Sequence, residues 1–156
     1  MFKNRHYKEV WSIVGFIVNL SQMIEYNLAH ILALNEILSK FDEKGAMWSF
    51  EYNELLRKTD EWYKKLSCRP LGNSLKEIED RKVLTSDSMD ELRWICDERN
   101  YFIHHYFKED LRSKDFQERP KQIIPRLQEL VIRMKNANDD LCNIFKEMDE
   151  KEKTIY

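Results

Sequence analysis

The sequence predicts an all-α protein: a four-helix bundle with an additional short helix, forming a single domain over residues 1–156. Only three Gly and three Pro occur in 156 residues, too few of the breakers that a β or α/β chain needs. Charged residues make up 35% of the chain, and apolar residues recur at three- and four-residue spacing. A chain of this length can bury a real core, so we expect one helical domain.

Composition limits the classes of partner and cofactor. The formal charge of -2 and the pI of about 6.1 exclude an overall basic field, so any RNA contact must be a local patch. Cys68, Cys96 and Cys142 match neither a zinc knuckle nor a disulfide framework. The apolar run over residues 10–20 is too short to span a bilayer, and no targeting pattern precedes it. We therefore expect a soluble, cytoplasmic protein without membrane contact, resident metal or cofactor.

The first predicted helix covers residues 8–41 and is apolar around much of its circumference. Such a helix is covered on several sides, by its bundle neighbours and by a second subunit. A homodimer is therefore expected. The apolar positions that define the helix are Trp11, Val14, Ile17, Val18, Ile24, Leu28, Ile31, Leu32, Leu38 and Phe41.

Two elements are predicted in the middle of the chain. Gly45 ends the first helix, and Ser49 is a candidate cap for a second helix over residues 50–67. The sequence RPLGN, residues 69–73, predicts a turn, and a short helix is expected over residues 74–82. The apolar contacts expected from the second helix are Leu55, Trp62, Tyr63 and Leu66.

Two more helices are predicted in the second half. Residues 85–88 offer several caps for a helix that runs to about Leu111. Residues 118–120 are expected to break the chain, and Pro125 is placed in the first turn of the last helix. The charged tail at residues 149–153 is expected to fray. The apolar positions of the last helix are Ile124, Leu127, Leu130, Val131, Met134, Leu141, Ile144, Phe145 and Met148.

The clearest chemical pattern is R-N-Y-F-I-H-H-Y, Arg99–Tyr106, inside a helical stretch. A guanidinium clamps phosphate oxygens and an imidazole moves protons, so the pair suits phosphodiester cleavage without a metal. At about 100° per residue, Arg99 lies in the middle of an apolar face. A charge there is costly unless it is paired or borders a cleft or interface. The apolar face comprises Leu92, Ile95, Cys96, Phe102, Ile103, Tyr106 and Phe107.

The other members of the pattern divide by their angle around the helix. Asn100 and His104 are four residues apart at the edge of the apolar face, where the amide could orient the imidazole. Arg99 lies about 140° from His104, and its long side chain can curl toward the same cleft. His105 points away and is the poorer candidate, while Tyr106 lies about 20° from Arg99.

This motif resembles that of the HEPN domain superfamily, and the version with Tyr after His-x is similar to the toxin of HEPN/MNT toxin-antitoxin pairs. The specific likeness covers Arg99–Tyr106, and the helical architecture is compatible over the whole chain. The resemblance implies a metal-independent endoribonuclease of toxin or defence type. In the superfamily, two subunits meet so that their Arg and His residues line one composite cleft.

The resemblance also implies a role for each residue. Arg99 would bind the scissile phosphate and stabilise its developing charge, His104 would transfer protons, and Asn100 would position the pair. Attack by the RNA 2'-hydroxyl would give a 2',3'-cyclic phosphate, which needs no metal because the nucleophile belongs to the substrate. In the toxin pairs, a nucleotidyltransferase antitoxin adds AMP to the motif tyrosine, which corresponds here to Tyr106.

Two alternatives stay open. The pairs Glu51 and Glu54, then Glu77 and Asp80, match the E-x-x-E and E-x-x-D pattern of MazG-like Mg-dependent nucleotide pyrophosphohydrolases. With 28 acidic residues, pairs at this spacing also arise by chance on solvated helix faces. The second alternative is a noncatalytic HEPN-like module that binds nucleotide or RNA.

Isolated polar residues on the first helix are a weaker indication of the site. Asn19, Gln22, Glu25 and His30 could face the cleft. Isolated polar residues on a long helix are more often interface hydrogen bonds, and His6 and His30 have no partners at metal-ligand spacing.

Overall fold

The computed structural model describes residues 5–44, 52–68, 71–110 and 119–153, and within these ranges it contains helices and short turns but no strand. This confirms the all-α prediction. In the same ranges no helix is long and apolar enough to cross a membrane. The elements are α1 (Arg5–Lys44), α2 (Tyr52–Ser67), α3 (Leu71–Asp80), α4 (Ser86–Tyr101), a π-helical segment (Phe102–Tyr106), α5 (Phe107–Asp110) and α6 (Arg119–Lys153).

Successive helices alternate in direction. Glu36 near the end of α1 bonds Lys58 and Trp62 of α2, while Tyr26, earlier on α1, contacts Tyr63, so α1 and α2 are antiparallel. By the same reasoning α2 and α3 are antiparallel, as are α3 and α4, and α4 and α6. As a result α6 runs parallel to α1, with Lys135 beside Phe16 and Phe145 stacked on His30.

The core surrounds the second half of α1. Every residue from Leu28 to Leu34 is buried except His30, which is half-buried. A helix stretch that is apolar all round needs cover on all sides, and α2 and α6 make the most extensive contacts with α1. The buried residues that α6 contributes are Ile124, Leu127, Leu130, Met134, Ala137 and Leu141.

The first half of α1 is covered less completely. Trp11 and Val18, two of the apolar positions that define the helix, are 48% and 44% exposed. The described helices therefore leave part of the apolar circumference of α1 open. Met23 and Tyr26 are also exposed, at 44% and 37%. The apolar circumference of α1 thus separates into a buried second half and a partly open first half.

The middle of the chain differs from prediction in where α3 begins. The predicted turn over residues 69–73 is wrong from Leu71 onward, because Leu71 is already helical and buried together with Leu75 and Ile78. Helical spacing places these three side chains on one face, which favours an early start. The helix stops at Asp80, and Lys82 has a φ of 53°, which helices do not continue through. Gly45, Ser49, Arg69 and Pro70 lie outside the described residues.

The caps and prolines predicted for the second half of the chain agree with the structure in part. The Thr85 hydroxyl accepts a hydrogen bond from the Ser88 N–H at 3.2 Å, which confirms the cap of α4. Arg119 and Pro120 form the first turn of α6 rather than a break. Pro125 lies deeper in α6 than expected, at an exposed position. Proline has no backbone N–H, so the carbonyl one turn before it lacks a helical donor and is left to solvent. Residues 149–153 are helical, while Leu111 and Glu118 lie outside the described residues.

Two apolar residues that lie two positions apart on α6 test this assignment of the core. Leu130 is fully buried and Ile132 is 60% exposed. We expect Leu130→Ala to lower the free energy of unfolding by about 2 to 5 kcal/mol, since it leaves a cavity that close-packed neighbours cannot fill. Ile132→Ala should change it by less than about 0.5 kcal/mol. Urea denaturation followed by circular dichroism measures both, and equal losses would contradict the packing described for α6.

Candidate nuclease site at the π turn

The residues of the Arg-His pattern lie where α4 changes from α-helical to π-helical hydrogen bonding. Phe102 to Tyr106 form the π segment, called here the π turn, with Arg99 three residues before it. Such single π turns are rare and occur frequently at functional sites. Each residue of a π turn advances by less than about 100° around the helix axis. The angle between Arg99 and His104 is therefore smaller than the about 140° that an α-helix would give.

The π turn also decides which side chains are buried. Phe102 and Tyr106 are 2% and 3% exposed, and their rings meet edge to face at 5.9 Å. Ile103 is 40% exposed, so this part of the predicted apolar face is not covered by the described residues. The predicted neighbours Leu92, Ile95 and Cys96 are buried, while the Phe107 side chain lies outside the described ones.

Arg99 is half-buried, and its Nε atom is buried without a hydrogen bond among the described residues. Arg99 acts electrostatically on Glu25 of α1, which is 9% exposed. The two charges attract each other, yet no ion pair or hydrogen bond joins them in the described part of the chain. A buried guanidinium N–H in this position is a costly group with unused bonding capacity.

The surroundings of Arg99 shift the ionisation of two neighbours. Burial raises the pKa of Glu25 above its ordinary value, and the positive charge of Arg99 opposes that rise. Burial also raises the pKa of the Cys96 thiol, assisted by Asp97 and opposed by Arg99. Both groups therefore favour their neutral forms, as expected at an edge of the core where water has been largely removed.

Asn100 makes a hydrogen bond within α4. Its Nδ2 donates to the Cys96 sulfur at 3.6 Å, one turn back along the helix. No hydrogen bond joins Asn100 to His104 among the described residues, so orientation of the imidazole by this amide stays a prediction. The His104 side chain is exposed and has space to approach a ligand.

Helix α4 is held on α6 by two arginines, which bind carboxylates of α4 that precede Arg99. Arg126 forms a double hydrogen bond with Glu98, at 2.8 and 2.7 Å, and covers the Tyr101 ring at 4.5 Å. Further back, Arg133 pairs with Glu91 and covers Trp94. Double guanidinium-carboxylate bonds fix orientation as well as distance. The backbone that carries Arg99 is therefore well anchored beside a π turn.

His105 and Tyr106 occupy contrasting positions. The exposed His105 ring stacks along Tyr101 with ring centroids 6.3 Å apart, away from Arg99, as its angle on the helix predicted. Tyr106 is buried, so a modifying enzyme reaches its hydroxyl only after the π turn moves.

The carboxylates of the alternative metal site are not gathered into one cluster. Glu77 pairs with Lys65 at 2.7 Å and lies near Arg81, while Glu54 and Asp80 are exposed. Among the residues that the structure describes, no group of three or more His, Cys, Asp or Glu could hold a metal ion. Glu51 lies outside those residues.

Sequence reasoning underestimated Glu25. It was one of several isolated polar residues on α1, and nothing in its spacing separated it from Asn19 or His30. The available signal was that Glu25 lies next to Ile24 and three residues before Leu28, two apolar positions that the structure shows to be buried. A carboxylate there requires a specific environment, which the structure shows to be the Arg99 side chain.

Comparison with models of known protein families, with curated proteins and with solved structures found no match to this chain.

Stability as a function of pH tests the environment of Glu25. Because its native pKa is raised, the folded protein binds more protons than the unfolded chain at pH values above 4.5, up to the native pKa. Its contribution is therefore most favourable at low pH and is lost as pH rises through that window. Urea denaturation from about pH 4 to about pH 8 should show this decline in wild type relative to Glu25→Gln. An exposed control, Glu147→Gln, should follow wild type; parallel curves for wild type and Glu25→Gln would contradict the assignment.

Proposed function

We propose that this protein is a metal-independent endoribonuclease of HEPN-like four-helix architecture, acting as a cytoplasmic homodimer. The observation that carries the proposal is the buried Arg99 Nε without a hydrogen bond beside an exposed His104 on a π turn. The half-buried Arg99 guanidinium can bind a phosphate oxygen, and the imidazole can exchange protons with the 2'-hydroxyl or the leaving oxygen. Asn100, bonded to Cys96, fixes the helix side from which Arg99 extends.

The charge balance of the site supports a phosphate ligand. Arg99 acts electrostatically on the Glu25 carboxyl, and burial disfavours the charged form of that carboxyl. A half-buried guanidinium beside an acid that ionises less readily has an incompletely balanced positive charge. An anionic phosphodiester balances it, and the low-dielectric surroundings strengthen that attraction as negative charge develops in the transition state.

An open face on α1 supports a second subunit. Trp11, Gly15, Val18, Gln22 and Glu25 follow a four-three-four-three spacing, the pattern by which helices pack side by side. This set is called the α1 face. Trp11 and Val18 are exposed, and a Cβ added at Gly15 would meet nothing within 4 Å. A helix of a second copy can therefore approach closely there, beside Glu25 and hence beside Arg99.

A toxin or defence role belongs to the same proposal. An antitoxin nucleotidyltransferase that modifies Tyr106 would act on a side chain that is 3% exposed, so modification requires the π turn to open. Addition of AMP to the hydroxyl would prevent the ring from returning to its place against Phe102 and would hold the site open. Inactivation then follows from loss of the geometry around His104.

Cleavage of single-stranded RNA in EDTA tests the activity. His104→Ala should reduce the rate about 10² to 10⁴-fold, the usual contribution of a general acid or base. Arg99→Ala should do the same, and Arg99→Lys should recover little because a lysine lacks the planar set of N–H donors. His105→Ala is the matched control, since His105 is also exposed on the π turn but faces Tyr101; it should cleave like wild type.

Three results would decide against this activity. RNA binding without cleavage would favour the noncatalytic HEPN-like module. A requirement for Mg2+ with turnover of nucleoside triphosphates would favour the pyrophosphohydrolase alternative. Equal losses in His104→Ala and His105→Ala would remove the distinction between the two histidines.

Oligomeric state tests the composite site separately. Val18→Glu places a charge on the α1 face and should give a monomer in sedimentation analysis, with cleavage lost together with the dimer. Ile132→Glu is the control, since Ile132 is exposed on α6 beside Phe16, about 160° around α1 from Val18. A Val18→Glu dimer, or a fully active monomer, would contradict a site completed by two subunits.

A further inference from the structure

The first half of α1 carries one more exposed residue in line with the α1 face. Lys8 lies three residues before Trp11, so it continues the spacing of that face toward the start of the helix. It is exposed and forms no ion pair with any described residue. At about 100° per residue, the positions from Lys8 to Glu25 fall within an arc of about 100°. The exposed side of α1 therefore has a basic residue at one end and an acidic residue at the other.

This row of side chains has a definite length. Ala29 and Leu32, the next two positions of the spacing after Glu25, are fully buried within the chain. The row thus ends at Glu25, and Lys8 is its first position within the described residues. From Lys8 to Glu25 the helix rises by about 26 Å. The positions between these two ends carry no charge: Trp11, Gly15, Val18 and Gln22.

The row is complementary to itself in an antiparallel pair of α1 helices. About a two-fold axis, each contact between the two copies forms twice, with the roles of the two residues exchanged. The glycine then lies near the axis, where a Cβ would meet nothing within 4 Å, and the two backbones can approach closely. One register pairs Lys8 and all five residues of the α1 face with one another: Lys8 with the partner's Glu25, Trp11 with the partner's Gln22, and Gly15 with the partner's Val18.

Other arrangements of the two helices are less favourable. A parallel pair about a two-fold axis brings Glu25 opposite the partner's Glu25 and Lys8 opposite the partner's Lys8, and like charges in such positions oppose pairing. An antiparallel pair shifted by one position brings Trp11 opposite the partner's Ala29, which is already covered within its own chain. A shift the other way brings Lys8 opposite the partner's Val18, so the two opposite charges no longer meet.

From this complementarity we propose that a second copy binds through an antiparallel α1 pair, in which the partner's Lys8 contacts Glu25 beside Arg99. Each site then contains a residue of the other subunit. The Glu25 carboxylate has two oxygens, so it can accept hydrogen bonds from the partner's Lys8 while it lies near Arg99. A second cation at this position increases the positive potential that a phosphodiester meets. The register rests on the homodimer of the proposed function but not on RNA cleavage.

Cysteine cross-linking tests the register. Trp11→Cys and Gln22→Cys proteins are mixed and oxidised in a Cys68→Ser background, which removes an exposed thiol. The register places these two positions opposite each other, whereas each lies about 16 Å along the helix from its own copy. A disulfide spans at most about 7 Å between α-carbons. We therefore expect a cross-linked dimer on non-reducing gels from the mixture and not from either variant alone. Cross-linking of each variant with itself, but not of the mixture, would show a parallel pair and overturn the proposal.

A charge reversal tests the contact of Lys8 with Glu25. Lys8→Glu should raise the dimer dissociation constant in sedimentation equilibrium by at least about tenfold, because it brings a second carboxylate to Glu25. In a Glu25→Gln background the same change should raise it by less than about threefold, since the charge that it would repel is absent. Lys135→Glu is the matched control and should leave the constant unchanged, because it reverses an exposed charge beside Phe16, on the other side of α1.

The outcomes separate this register from the other parts of the proposed function. If Val18→Glu gives a monomer but Lys8→Glu has the same effect in both backgrounds, the register is wrong and the homodimer stands. If the cross-link and the charge coupling are found but wild type does not cleave RNA, the register stands and the ribonuclease is wrong. A wild type that is monomeric at all concentrations overturns both homodimer and register. If Glu25→Gln does not fold by circular dichroism, the cross-link decides, because Trp11 and Gln22 are at the surface.

Discussion

The burial of α1 from Leu28 to Leu34 is the constraint on which the rest of the structure depends. A helix that is apolar on all sides cannot lie on a surface, so α2 and α6 must both run along it. The direction of α6 then follows from the number of short helices in between, and it carries α4 on its other side through Arg126 and Arg133. The position of Arg99 near Glu25 is a consequence of how this one helix is covered.

The position of Arg99 near Glu25 lowers the stability of the fold. A half-buried arginine near a buried carboxyl is less favourable than two well-packed apolar side chains of similar size. The raised pKa of Glu25 expresses the same cost, because burial makes the charged carboxylate less favourable than it is in water. Local strain and poorly balanced charge in an otherwise well-packed bundle are characteristic of sites retained for activity.

Helical periodicity predicted what depends on local geometry and missed what depends on neighbours. It placed Leu92, Ile95 and Cys96 on one apolar face and the cap of α4 within residues 85–88, because both follow from constant rotation and side-chain reach. It did not indicate the π turn, whose smaller rotation per residue depends on backbone hydrogen bonding. It identified Trp11 and Val18 as apolar, but periodicity does not record whether another helix covers an apolar residue. The hydrogen-bonded residues Asn27 and Asn138 are 111 residues apart in sequence, and no local pattern contains such a pair.

The π turn also determines which changes in chain length this protein tolerates. A π turn holds one residue more than the α-helical turn it replaces, so removal of one residue between Phe102 and Tyr106 would convert the stretch into uninterrupted α-helix. With His105 as the residue removed, His104 would rotate away from Arg99, toward the about 140° of an α-helix, and Tyr106 would turn relative to Phe102. A substitution in this segment alters one side chain. A single-residue deletion instead changes the position around the helix axis of every residue from the histidines to α5. The spacing between Arg99 and His104 is therefore a property of the backbone hydrogen bonding as much as of the residues themselves.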